Sequence, residues 1–198
     1  DHPLQLTMTG PFAQGLSVNE DNLVLKAARL LRDAAKENGS EVKPVSITLE
    51  KNLPIASGIG GGSADAAATL LALVKFWELG ETIDLFPIAN ALGADVPMCL
   101  HSTPLRAQGI GEDISKLEIT KPLYMVLVNP GLPVSTPDIF RNLQSKNNAS
   151  IELQNDRVFP DLADIRNMRN DLELPAIEVE PIISEVLAEI KSTGSMLV

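Results

Sequence analysis

Leu4, Leu6 and Met8 alternate with Gln5 and Thr7, which predicts a strand broken by Gly10-Pro11. Over residues 22–36 the period changes to that of a helix: Leu23, Ala27, Leu30, Leu31 and Ala34 share one face and charges cover the other. Asp21 or Asn22 caps its start, and Asn38-Gly39-Ser40 ends it. Alternation returns at Val45, Ile47 and Leu49. A glycine-rich loop follows, then a helix over about residues 64–77 with Leu70, Leu71, Val74 and Trp77 as its core face. Residues 84–92 read as a short helix that tolerates Pro87 in its first turn, with Gly93 as a left-handed C-terminal cap. Residues 96–100 and 105–108 read as strands, and the apolar run 123–128 as a buried strand. Thr136-Pro137 suggests an N-cap followed by proline at the first helical position, opening a helix to about Leu143. Residues 144–156 are polar and expected to form a mobile loop. Asn170-Asp171-Leu172-Glu173 then leads through two prolines to a helix over about residues 181–191. Hairpin-like strands with separate helices indicate an α+β fold rather than a regular β-α alternation.

The loop between the second strand and its helix changes the picture. Pro54, Ile55, Ala56, Ser57, Gly58, Ile59, Gly60, Gly61, Gly62, Ser63 and Ala64 run into an alanine-rich segment of high helix propensity. Four glycines in the five residues 58–62 cost backbone entropy and contribute almost no packing. A plain connector has no need of that cost. Glycine lets main-chain N–H groups approach a ligand, and the following helix offers unpaired N–H groups and the positive end of its dipole. The combination suits a phosphate cradle, most naturally for a nucleotide. It is not a Walker loop, because no lysine lies between Gly58 and Lys75. It is not the dinucleotide fingerprint either, because Ser63 or Asp65 stands where the third glycine belongs.

The 198 residues suffice for one domain or two small ones sharing a core. A net charge of −10 disfavours nucleic acid and anionic membranes as partners, so an anionic nucleotide needs local compensation from backbone N–H groups, Mg²⁺ or a few cations. With Cys99 as the only cysteine there is no internal disulfide, and a reduced, buried thiol fits a cytoplasmic protein. No run of eighteen apolar residues and no basic-then-apolar leader is seen. His2 and His101 have no partners at metal-ligand spacing. The chain starts at Asp1 without methionine and ends on Ser195-Met196-Leu197-Val198, a string like the entry to a buried strand. It is therefore expected to lack both ends.

Three side chains near these features carry candidate chemistry. Asp95 follows Gly93 and precedes the apolar Val96-Pro97-Met98; it reads as a turn or N-cap aspartate, or as a partly desolvated general base. Ser63 sits where loop meets helix, as an N-cap, a phosphate contact or a contact to Mg²⁺. Lys51 lies beside the loop and offers charge to a nucleotide, whereas Asp65 reads as a dipole-favoured surface charge in the first helical turn.

Residues 54–68 resemble the second motif of the GHMP kinases, roughly Pro-x-x-x-Gly-Leu-Gly-Ser/Gly-Ser/Gly-Ser/Ala. Further blocks resemble the same family in the same order. They are Glu20-Asp21-Asn22-Leu23, Leu92-Gly93-Ala94-Asp95-Val96-Pro97, Gly109-x-Gly111-Glu112, Asn129-Pro130-Gly131 with Ser135-Thr136-Pro137, and Asn170-Asp171-Leu172-Glu173. The resemblance implies a two-lobed α+β fold with the active site between lobes: residues 1–120 as the ATP-binding lobe and 121–198 as a truncated C-terminal lobe. It implies ATP and Mg²⁺, Asp95 facing the acceptor hydroxyl, the 54–64 loop around the ATP phosphates, and Thr136 near the substrate. The block details imply phosphorylation of the 2-hydroxyl of 4-diphosphocytidyl-2-C-methyl-D-erythritol, a step of the non-mevalonate route to isoprenoid precursors. A homoserine or mevalonate acceptor is the alternative within the family, and a non-catalytic nucleotide-binding module the alternative outside it. The family's first motif, with its lysine, has no counterpart before Leu4, and its C-terminal glycine motif would follow Val198.

Overall fold

The computed structural model describes residues 4–16, 19, 21–145, 147–151, 158–159, 161 and 165–195. The chain divides into two compact units, one of Asp1–Ile55 with Gly60–Ser115, the other of Ala56–Ile59 with Lys116–Val198.

In the first unit, β1 (Leu4–Thr9) and β2 (Val45–Glu50) pair in parallel, Leu4 opposite Val45 and Thr9 opposite Glu50. Helix α1 (Leu23–Glu37) is the crossover that a parallel pair requires. The two-residue alternation half-buries Leu4, Leu6 and Met8 on one strand and Val45, Ile47 and Leu49 on the other. Asn22 caps α1 by accepting from the Val24 N–H at 2.9 Å. Gly39, at φ +77°, follows the Asn38 C-cap, and its N–H closes on the Lys36 carbonyl.

Helix α2 (Gly61–Phe76) packs on α1, and α3 (Leu85–Leu92) and α4 (Val96–His101) complete the layer. Ala27, Ala28 and Leu31 of α1 and Ala66, Ala67 and Leu70 of α2 share the core. The four alanines among them leave room for Leu31 and Leu70 to pack between the two helices. The buried faces are therefore rotated from those read off the sequence: Leu30 is exposed while Ala28 is buried, and Leu71 is exposed while Leu73 is buried. Trp77, at the C-cap of α2, donates from Nε1 to the Lys43 carbonyl at 2.9 Å. Asp84 caps α3 through the Phe86 N–H, and Pro87 falls in the first turn, where its missing donor costs nothing.

Several expectations need correction. Residues 96–100 are helical: Pro97 stands in the first turn of α4, and the Cys99 N–H reaches the Asp95 carbonyl at 3.2 Å. Gly93 is not a left-handed cap. Its φ of +157° and ψ of 157° lie in a glycine-favoured extended region that separates α3 from α4. Helix α2 begins at Gly61, three residues earlier than expected, because Gly60 takes the left-handed N-cap conformation.

Strands β3 (Leu105–Gln108) and β4 (Asp113–Lys116) pair with each other. In the second unit, residues 123–128 form no strand. Tyr124 is 95% exposed and Val126 87%. A buried strand needs a neighbouring strand to satisfy its backbone and cover for both faces. The described residues supply neither. Helix α5 (Thr136–Asn142) packs against α6 (Glu173–Val179), which packs against α7 (Ile182–Ser192). Helix α6 falls in the stretch that leads through two prolines to the expected helix, and Pro175 is accommodated because it stands in the first turn. Asn170 prepares that turn by accepting from the Leu172 N–H at 3.1 Å. Of the polar stretch 144–156, the described residues carry no helix or strand, and Glu20 and the terminal Met196-Leu197-Val198 lie outside the described residues.

Candidate active site

Helices α2 and α4 pack on one another within the first unit, so the N-terminal turn of the glycine-loop helix and the helix that starts after Asp95 belong to one helical layer. Gly60, at φ +68°, is the N-cap of α2 and supplies no side-chain acceptor to the first-turn N–H groups. A Cβ at Gly60 would meet nothing within 4 Å. Unpaired N–H groups at the positive end of a 16-residue helix, approached by open backbone, have the character of an anion site. Pro54 and Ile55 precede this turn on the first unit, and Ala56, Ser57, Gly58 and Ile59 are assigned to the second. Ala56 takes φ +54° and Gly58 φ +75°.

Ser63 is the third residue of α2 and half-buried, so it is not the N-cap. Its hydroxyl belongs to the same first turn as the unpaired N–H groups. Asp95 occupies the N-cap position of α4 without a side-chain capping bond. It is exposed rather than partly desolvated, because the apolar burial begins one residue later, at Val96. Its charge is felt by Cys99, one turn on: burial first, and the Asp95 carboxylate second, raise the thiol above its ordinary value. Thr136 is exposed and is the first residue of α5; Ser135 holds the N-cap position, so capping does not account for Thr136. It lies in the second unit, whereas Gly60, Ser63 and Asp95 lie in the first.

The sequence reading missed a buried ion pair. Lys51 Nζ lies 2.6 Å from Asp65 Oδ2, and Lys51 is only 7% exposed. The strand period contained the signal. Val45, Ile47 and Leu49 face inward, and Lys51 continues that series, so its ammonium enters the interior and needs a counter-charge. Asp65 supplies it; as the fifth residue of α2 it lies past the first turn, and it is a paired charge rather than the dipole-favoured surface charge expected. The backbone of Lys51 is equally fixed: its N–H donates to Thr9 at 2.7 Å and its carbonyl accepts from Phe12 at 3.1 Å. Gly10 packs so closely on it that a Cβ there would stand 2.6 Å from the Lys51 carbonyl oxygen. The pair ties the end of β2 to the start of α2, with Nζ in ordinary contact distance of a Cβ built on Gly61.

Among the described residues, no group of three or more His, Cys, Asp or Glu is arranged to hold a metal ion. Also among them, no helix is long and apolar enough to cross a membrane.

Residues 22–103 match the family description "GHMP kinases N terminal domain". A crystal structure of 4-(cytidine 5'-diphospho)-2C-methyl-D-erythritol kinase superposes with a TM-score of 0.64 at 31% identity, covering 98% of this chain and 68% of that one. The chain belongs to the GHMP kinases. Curated relatives named 4-diphosphocytidyl-2-C-methyl-D-erythritol kinase include those of Rhizobium meliloti, 49% identical over 201 residues, and Agrobacterium fabrum, 46% identical over 198 residues. They match 98% and 97% of this GHMP kinase chain, which spans 66% of the length of each. A homoserine kinase from Cytophaga hutchinsonii, at TM-score 0.54 and 24% identity over 75% of this chain, shares the fold.

Proposed function

We propose that this chain is the greater part of an ATP-dependent kinase that phosphorylates the 2-hydroxyl of 4-diphosphocytidyl-2-C-methyl-D-erythritol. The relatives that match along almost its whole length carry the name of that enzyme. Residues 1–120 belong to the ATP-binding lobe and residues 121–198 to the C-terminal lobe. The cytoplasm is the proposed compartment. The observation that carries the reading is the packing of α2 on α4 in one unit, with the uncapped glycine turn starting the first helix and Asp95 starting the second.

The chemistry asked of these residues is modest, since phosphoryl transfer rests mainly on positioning and charge stabilisation. Main-chain N–H groups of Gly60, Gly61, Gly62 and Ser63 hold the ATP phosphates, with the rest of the 54–64 loop around them. Asp95 accepts the proton of the acceptor hydroxyl. The hydroxyl oxygen forms its bond to the γ-phosphorus as the bond to the β,γ-bridging oxygen breaks, leaving ADP. Mg²⁺ would be held by the nucleotide phosphates, with the Ser63 hydroxyl as the proposed protein contact. Bound there, Mg²⁺ supplies charge neutralisation to the phosphates. Thr136 is proposed to contact the acceptor.

Asp95→Asn in the full reading frame tests the assignment. Loss of the base should lower kcat by about 10²–10⁴-fold while ATP affinity stays within a few-fold. A near-normal kcat would overturn it. Homoserine and mevalonate, offered to the same purified enzyme as acceptors, should support no turnover.

A further inference from the structure

We propose that the turn joining β3 to β4 is a positioning element for Asp95, and that Gly111 is its working contact. This rests on the reading of Asp95 as the proton acceptor. The backbone at Asp95 is tied into α4 by the Cys99 N–H at 3.2 Å, but its side chain has little of its own to fix it. Its carboxylate makes no capping bond, its side chain is exposed, and Gly93, two residues earlier, has the widest backbone freedom of any residue type. The Val96 N–H, donating to the Gly93 carbonyl at 3.1 Å, closes the turn around the Ala94–Asp95 peptide from the helix side, and Gly111 braces the carbonyl of that peptide from the other element. A Cβ built on Gly111 would stand 2.7 Å from the Ala94 carbonyl oxygen and 3.5 Å from the Ala94 carbonyl carbon. Only a residue without a side chain lies against that carbonyl, and at φ +110° only glycine does so without strain.

The turn is held by hydrogen bonds of its own. The Gly111 N–H donates to the Gln108 carbonyl at 3.1 Å, and the Ile110 N–H donates to Glu112 Oε2 at 2.6 Å. Gly109, at φ +67°, gives the turn its left-handed first central residue. Glu112 thus locks the turn from within, and Gly111 presents its bare Cα to the Ala94 peptide.

A methyl group at Gly111 would have to gain about 0.7 Å to move from 2.7 Å to the 3.4 Å of ordinary contact. The Ala94 carbonyl is the nearest thing it can push. Catalytic groups need to be held within about 0.5 Å of their productive position, and a 1 Å error costs about 10²-fold in rate.

The test compares wild type, Gly111→Ala, Asp95→Asn and the double variant, each in the full reading frame, by ADP release at saturating acceptor. Gly111→Ala should lower kcat by about 10–100-fold with KM for ATP within about threefold. It should cost no more than about twofold in the Asp95→Asn background, because its effect passes through the carboxylate. An equal loss in both backgrounds, or a kcat within twofold of wild type while Asp95→Asn is inactive, would overturn the positioning role alone. A normal kcat for Asp95→Asn would instead remove the catalytic reading on which it rests. If Gly111→Ala shows no cooperative melting, Glu112→Ala decides: it loosens the turn without intruding on Ala94. A kcat loss of at least about threefold that vanishes with Asp95→Asn supports the brace, and an unchanged kcat overturns it.

Discussion

Removing either partner of the Lys51–Asp65 pair should destabilise the first unit, and by unequal amounts. At 2.6 Å the gross attraction is about 6 kcal/mol at an effective dielectric of 20. Desolvation of both ions offsets most of that, so the net worth of the intact pair is small. The cost of deletion depends on which charge is left behind. Lys51→Met leaves the Asp65 carboxylate, whose side chain is 26% exposed and partly hydrated, at a cost of about 1–2 kcal/mol. Asp65→Ala leaves the Lys51 ammonium, only 9% exposed, with no counter-charge, at about 3 kcal/mol or more. The double variant should cost less than the sum by at least about 1 kcal/mol. Urea unfolding followed by Trp77 fluorescence reports on the first unit, because Trp77 is the only tryptophan and sits in its core. Additive losses within about 0.5 kcal/mol would refute the coupling. A larger loss for Lys51→Met than for Asp65→Ala would refute the argument from burial.

Two further outcomes follow from the same unit. Gly60→Ala meets no atom within 4 Å, so only the left-handed φ penalises it: about 1–2 kcal/mol of stability, with weakened ATP binding as the larger effect; unchanged ATP affinity would count against the cradle. For Cys99, burial and then the Asp95 charge disfavour the thiolate and hold its pKa above the ordinary thiol value, so the stability this confers is complete below that ordinary value and lost as pH rises through the raised one. Alkylation of Cys99 at pH 8 should therefore quicken in Asp95→Asn, by less than about tenfold, and an unchanged or slower rate would contradict the proximity of the two groups.

The features legible in the sequence were those with a local cause. Period-two alternation located β1 and β2, and of the two cap candidates for α1, Asp21 and Asn22, it is Asn22 whose side-chain cap forms. Short apolar runs were not legible. Five residues from Val96 fit strand or helix equally, and Pro97, which favours a helical first turn, settled it for α4. The run at 123–128 shows that apolar content does not reveal whether a pairing edge exists. At the site, the glycine turn was legible as backbone chemistry. The Lys51–Asp65 pair and the Gly111–Ala94 contact were not, since each joins residues 14 or more apart along the chain.

The most direct measurement is a structure of the full enzyme with a non-hydrolysable ATP analogue, Mg²⁺ and the acceptor. The account predicts γ-phosphate oxygens at hydrogen-bond distance, about 3 Å, from N–H groups of residues 60–63, and the acceptor hydroxyl at similar distance from the Asp95 carboxylate. Phosphates bound away from the start of α2, or an acceptor hydroxyl beyond reach of Asp95, would contradict it.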